Sequence, residues 1–163
     1  MSRPAHNQQH RVVLDCNLWI KLHTKRDWDL AGRILQGDYQ IILTSYMVVE
    51  ILRALKRLAR KLSIAYPELE SLFWDFCSHP SILMAFEQPF GESLIAETIR
   101  LPEYRIIGRL LDLEVKDVPY LVAAFQHKAI LVSENIRSLV AKRQGIQTAL
   151  NIDIKTSEEL LRL

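Results

Sequence analysis

The chain has 163 residues, of which 49% are hydrophobic and 25% charged, with only 5 glycines and 6 prolines. This composition predicts one globular domain with a substantial core and excludes an extensively disordered chain. The formal net charge of +2 is too small to indicate nucleic-acid binding by itself. The two cysteines, Cys16 and Cys77, lie far apart in apolar surroundings, which argues against a disulfide scaffold or a zinc site and favours buried free thiols.

Residues 1–10 are polar and carry no signal-peptide pattern, so they are predicted to form a disordered N-terminal extension. Residues 11–163 are then expected to form a single domain. No apolar run has the length of a membrane span. We therefore expect no membrane association and a cytoplasmic location.

The first part of the chain alternates strand and helix patterns. The apolar run 12–14 predicts a buried strand, and Asn17 can cap the helix that follows. Another helix is predicted to begin at Asp27. A second buried strand, 40–43, leads into the strongest helical pattern, 46–62, whose apolar residues recur at helical spacing.

The middle of the chain is predicted as helices around one strand. Pro67 fits the first turn of a helix that ends at Cys77. Residues 81–86 are a candidate third strand. Two further helical segments, 93–100 and 103–111, are separated by a proline.

The last third contains two more strand patterns. Asp117 marks the start of a helix, and the apolar run 129–132 predicts a fourth strand. A short helix over 136–142 is expected to stop at Gly145. At least one further strand is expected within 146–154.

A capping-box pattern, Thr156 with Glu159, predicts a final helix. Short strands alternating with helices are typical of an α/β domain. We predict a three-layer α/β/α architecture with a central, mostly parallel sheet of four or five strands. The chain has no glycine-rich phosphate loop, which argues against a P-loop or dinucleotide-binding fold.

Four polar residues fall where strands lead into helices or beside an apolar helix face: Asp15, Glu50, Asp117 and Asn135. Glu50 is flanked by apolar residues, and burial of a charge is costly unless a partner or a cation compensates it. Converging carboxylates would repel one another without a cation, and oxygen ligands favour Mg²⁺ or Mn²⁺.

Structural roles are open for the same acidic residues. Asp15 and Asp117 could each cap a helix. Glu50 could form an ion pair with Arg53 or Arg57 at helical spacing.

With these residues assembled, the chain resembles the PIN-domain nucleases. The resemblance rests on four motifs in order: VVLDCN at 12–17, ILTS through VVEIL at 42–52, DVPYLVAA at 117–124, and LVSEN at 131–135. It spans nearly the whole chain.

The resemblance implies a metal-dependent hydrolase, an endoribonuclease that cleaves single-stranded or structured RNA, in many members as the toxin of a VapBC-type toxin–antitoxin module. It implies that Asp15, Glu50 and Asp117 bind Mg²⁺ or Mn²⁺. It also implies an antitoxin partner and a homodimer.

At the fourth motif, Asn135 stands where members often have Asp, and we expect it to act with Ser133 in orienting water or phosphate. An asparagine carries no negative charge, which weakens any second metal site. Glu114 or Glu134 could compensate, or both could be solvated surface charges.

Basic residues recur at spacings of three and four after Glu50, and a second group lies near Asn135. The first comprises Arg53, Lys56, Arg57, Arg60 and Lys61, and the second comprises Arg137, Lys142 and Arg143. The first set, with Arg53 and Arg57 nearest the acidic residues, is either a track for the RNA backbone or a solvated helix face.

The sequence is also compatible with two other functions. One is a catalytically weak PIN-like domain that binds nucleic acid or protein, which the missing fourth acid favours. The other is a receiver-like signalling domain, which fits less well because it needs adjacent acids at one strand end.

Overall fold

The computed structural model describes residues 9–24 and 28–163, which form a parallel five-stranded sheet flanked by helices. The strands are β1 (His10–Leu14), β2 (Tyr39–Thr44), β3 (Ile82–Ala85), β4 (Ile130–Val132) and β5 (Ile154–Lys155). Their order across the sheet is β3-β2-β1-β4-β5, and each neighbouring pair is parallel. The predicted three-layer α/β/α architecture is confirmed.

Helices connect the strands and cover the sheet. They are α1 (Cys16–Thr24), α2 (Trp28–Leu35), α3 (Ser45–Leu62), α4 (Tyr66–Cys77), α5 (Leu94–Arg100), α6 (Pro102–Leu111), α7 (Val118–His127), α8 (Arg143–Leu150) and α9 (Ser157–Leu161). A 3₁₀ turn, Val115–Asp117, precedes α7, and a π-helical turn, Ile136–Val140, follows β4. None of the described helices is long and apolar enough to cross a membrane.

The central strands are buried on both faces, as continuous apolar runs in parallel sheets require. Val12, Val13 and Leu14 of β1 are fully buried, and so are the corresponding apolar residues of β2. The long helix α3 begins where β2 ends: the Thr44 hydroxyl accepts a hydrogen bond from the Met47 N–H at 3.4 Å. That cap fixes the direction in which α3 leaves the sheet.

The amino-terminal boundaries differ slightly from those predicted. Residues 1–8 of the predicted extension lie outside the described residues, as does Asp27 at the predicted start of a helix. His10 pairs with Tyr39 as part of β1. Helix α1 begins at Cys16, not Asn17, because the Asp15 carboxylate accepts the Asn17 N–H at 2.7 Å and caps the helix.

The prediction that Gly145 stops a helix is wrong. Gly145 lies inside α8, which continues to Leu150 and ends at Asn151 in the left-handed conformation, with φ of 55°. Packing of buried Ile146 outweighs the helix-breaking tendency of glycine. The further strand expected within 146–154 is therefore short and begins only at Ile154.

Candidate active site

The candidate site lies at the carboxyl edge of the sheet, where the adjacent strands β1 and β4 end. Leu14 pairs with Val132, and the Asp15 N–H donates to the Val132 carbonyl at 3.0 Å. The residues that follow these strands, Asp15 and Ser133, are therefore neighbours. This edge is where ligands bind in open α/β sheets.

Ser133 holds Asp15 in place. Its hydroxyl donates to Asp15 Oδ2 at 2.6 Å and accepts the Asn135 N–H at 3.0 Å. Ser133 is completely buried. A buried hydroxyl with these two partners positions Asp15, and the contact of Ser133 with water or phosphate stays a prediction.

Asp15 serves the fold and the site together. Its Oδ1 atom caps α1 through Asn17 while Oδ2 is held by Ser133. Burial raises the pKa of Asp15 above 3.8, and these two hydrogen bonds oppose the rise. A carboxylate that is costly to bury but held in one orientation is suited to binding a cation.

Glu50 reaches the site from α3. The Tyr120 hydroxyl donates to Glu50 Oε1 at 2.7 Å. Glu50 forms no ion pair with Arg53 or Arg57 within the described ranges, so that structural alternative is not what the fold uses. Instead, the Arg53 guanidinium donates to the Glu92 carbonyl.

Asp117 precedes α7, but its side chain does not cap that helix. Its Oδ2 atom is buried and has no hydrogen-bond partner among the described residues. Burial, and then the negative charges of Asp15, Glu114 and Glu50, raise the pKa of Asp117 to about 6, with Lys116 opposing. Negative charge around Asp117 therefore outweighs the positive charge of Lys116.

The donor chemistry of the three acids fits a hard divalent cation. Asp15, Glu50 and Asp117 present only oxygen atoms, and the unpaired Oδ2 of Asp117 is an acceptor without a donor. As placed, however, no three Asp, Glu, His or Cys side chains of residues 9–24 and 28–163 form a metal-ligand cluster. In this arrangement Asp15 and Glu50 accept hydrogen bonds from Ser133 and Tyr120, respectively.

Asn135, the residue of the fourth motif that is often Asp in PIN-domain nucleases, contributes no charge to the site. Asn135 is half-buried, and its N–H donates to Ser133. Glu134 accepts hydrogen bonds from the Ser157 N–H, at 2.8 Å, and from the Ser157 hydroxyl, so it anchors the start of α9. Glu114 is exposed and pairs with Lys116 at 3.2 Å, although its charge still contributes to the raised pKa of Asp117.

The basic residues predicted near the site have different surroundings. Lys56 lies over the Tyr66 ring, and Arg57 is exposed. In the second group, Lys142 bonds to Asp112, and Arg143 pairs with Glu159 at 2.8 Å. The second group is thus largely engaged within the protein.

Two side chains at the site were not predicted. Tyr120 lies one turn after Asp117 on α7, and its ring packs edge-on against Tyr46 with centroids 6.2 Å apart. Cys16 follows Asp15 directly, and burial together with the charge of Glu50 raises the pKa of its thiol. The sequence did offer a signal for Tyr120: it follows Asp117 by three residues, and residues three apart share a helix face.

The metal-free protein should lose stability as the pH rises from about 4 to about 7. Asp117 binds its proton more tightly folded, with a pKa of about 6, than unfolded, near 3.8. The stabilising contribution of that proton is fully present below the unfolded pKa and is lost as the pH rises through the folded pKa. Discounted for partial exposure, the loss is about 1 to 2 kcal/mol.

Urea unfolding in EDTA across this pH range measures the effect. Asp117→Asn removes the titrating group and should flatten this part of the stability curve. Identical pH dependence in both proteins would show that Asp117 does not titrate as described.

No protein-family model and no curated protein matches the chain. Among solved structures, the chain is similar to VapBC2 from Rickettsia felis, which was crystallised bound to a DNA fragment from its promoter. The TM-score is 0.58 and the sequence identity is 14%, and the match covers 90% of this chain and 98% of that chain. It is also similar to PAE2754 from Pyrobaculum aerophilum, with a TM-score of 0.60 and 18% identity over 99% of this chain and 96% of that chain. The chain has a VapC-like PIN fold, as the four motifs predicted.

Proposed function

We propose that this protein is a Mg²⁺- or Mn²⁺-dependent endoribonuclease that hydrolyses phosphodiester bonds in single-stranded or structured RNA. The observation that carries the proposal is the Asp117 Oδ2 atom, which is buried without a hydrogen-bond partner among the described residues. Burial, and then the negative charges of nearby acids that include Asp15 and Glu50, raise the pKa of this carboxyl group. A nuclease needs negative ligands at the place where a cation and a phosphate must meet.

In this proposal, Asp15 and Asp117 would hold the cation directly, and Glu50 would complete the site directly or through water. When bound, the ion would lower the pKa of water and neutralise charge on the scissile phosphate. Ser133 fixes the orientation of Asp15 through its 2.6 Å hydrogen bond. Asn135 would orient water or phosphate as an uncharged donor and acceptor.

Cleavage of a labelled single-stranded RNA tests the proposal. The purified protein should cut internally in the presence of Mg²⁺ or Mn²⁺ and should leave the RNA intact in EDTA. Equal cleavage in EDTA would contradict it, as would failure to cleave any RNA at saturating metal.

A role as the toxin of a toxin–antitoxin module extends the proposal. The fold likeness to VapBC2 supports an antitoxin protein as partner, and a homodimer is proposed with it. Co-expression with the product of a neighbouring reading frame tests the partnership: an antitoxin should relieve growth arrest and co-purify with this chain.

A catalytically weak binding module is the alternative function. Asn135 in place of an acid favours it, as does the separation of the carboxylates within the described ranges. Such a module would bind RNA or protein with no dependence on Mg²⁺. Metal-dependent thermal stabilisation together with cleavage would exclude it.

We also propose that RNA approaches the site along α3. Arg53 and Arg57 follow Glu50 by three and seven residues and therefore share its helix face. Both are exposed, and the Arg57 guanidinium forms no ion pair with another described residue. An exposed guanidinium two turns along the helix from Glu50 would contact a phosphate of the RNA backbone beside the scissile one.

Arg57→Gln should weaken RNA binding about equally for all sequences and reduce the slope of log affinity against log salt by about 1. Fluorescence anisotropy at several salt concentrations measures both quantities. Arg162→Gln is the matched control, because Arg162 is exposed directly after α9 and pairs with Glu158 at 2.7 Å. Equal salt slopes for all three proteins would remove Arg57 from the RNA path.

A further inference from the structure

Tyr120 is a buried tyrosine with a charged acceptor. Only 3% of it is exposed, and its hydroxyl donates to Glu50 Oε1 at 2.7 Å. A buried phenol usually finds a hydrogen-bond partner, and a backbone group is a commoner partner than another side chain. Tyr39 has such a backbone partner in this same protein, since its buried hydroxyl donates to the Leu160 carbonyl at 3.1 Å.

The surroundings of Glu50 leave its carboxylate little freedom. The Tyr46 ring packs edge-on against Tyr120, with the ring centroids 6.2 Å apart. A hydrogen bond to an ionised carboxylate is about twice as strong as one between neutral groups. Tyr120 thus selects one orientation of Glu50 from those that a glutamate on a helix can adopt.

Tyr120 also connects two of the three acids. It lies on α7, whose first turn follows directly from Asp117, while Glu50 lies on α3. The hydroxyl therefore sets the position of the Glu50 carboxylate relative to the helix that carries Asp117.

We propose that Tyr120 is a positioning residue that presets Glu50 for binding a divalent cation together with Asp15 and Asp117. This inference rests on the proposed function. It assigns to Tyr120 no contact with RNA and no proton transfer, only the orientation of one carboxylate. Outer-shell hydrogen bonds of this kind typically change metal affinity by about 10- to 100-fold.

Tyr120→Phe tests the inference, because it removes only the hydroxyl. Mn²⁺ binding measured by calorimetry should weaken about tenfold or more. Tyr39→Phe is the matched control: it removes an equally buried hydroxyl bonded to a carbonyl at the other end of the sheet, and it should bind Mn²⁺ as the wild type does.

A double mutant separates positioning from a general loss of structure. Glu50→Gln should itself weaken Mn²⁺ binding, and adding Tyr120→Phe should then cause little further loss, because Tyr120 acts through Glu50. Additive losses would overturn the inference, and so would wild-type affinity in Tyr120→Phe. If the wild type itself binds no Mn²⁺, the proposed function fails and this inference fails with it.

Discussion

Asp117→Asn should abolish RNA cleavage and, in the absence of metal, make the protein more stable. Cleavage should fall by more than about 100-fold, because an amide oxygen replaces a charged ligand in the proposed site. Stability should rise because the ionised carboxylate is desolvated and lies near Asp15 and Glu50, which together raise its pKa to about 6. Removing that charge should raise the free energy of unfolding at neutral pH by about 1 to 2 kcal/mol.

Single-turnover cleavage in Mg²⁺ and thermal unfolding in EDTA measure the two effects. For a chain of this size the gain corresponds to a rise in Tm of about 3 to 6 °C. Asp153→Asn is the control, because Asp153 is exposed and lies before β5; it should change neither quantity. If the metal-free Asp117→Asn protein is less stable than the wild type, the ionised Asp117 carboxylate does not destabilise the folded protein.

Ser133→Ala should lower both cleavage and stability. It removes the 2.6 Å hydrogen bond to Asp15 Oδ2 and leaves a largely buried carboxylate oxygen without its donor. Loss of a buried hydrogen bond to a charged group costs about 1 to 3 kcal/mol in the free energy of unfolding. Cleavage should fall by about 10- to 100-fold, as when other outer-shell partners of metal ligands are removed.

Ser138→Ala is a matched control for that substitution. Ser138 lies five residues further on in the π-helical turn, and its hydroxyl is buried with no partner among the described residues. Its removal should leave cleavage unchanged and should not destabilise the protein, because no hydrogen bond is lost. Equal effects of the two substitutions on Mg²⁺-dependent cleavage would mean that Ser133 does not position Asp15.

Local sequence signals predicted those parts of the fold that local physics decides. The buried strand before Asp15 follows from a continuous apolar run, and the cap at Thr156 follows from a side chain that satisfies a free N–H group. Gly145 was misjudged because helix propensity is a weak preference that the packing of neighbouring Ile146 overrides.

The candidate site was predictable to the extent that topology alone determines it. Parallel strands bring their carboxyl ends to one edge, so a side chain that follows β1 and one that follows β4 must meet. The role of Ser133 and the contact between Tyr120 and Glu50 depend on side-chain orientation and on burial. Local spacing brings Tyr120 to the helix face of Asp117, but its contact with Glu50 arises only after α3 and α7 have packed.

Anomalous diffraction from crystals grown with Mn²⁺ tests the central claim most directly, because it locates the ion without relying on activity. We predict a peak within ligand distance, about 2.0 to 2.2 Å, of Asp117 Oδ2 and a carboxylate oxygen of Asp15, with Glu50 contacting the ion or its water. At saturating Mn²⁺, the absence of a peak between these carboxylates would contradict the claim.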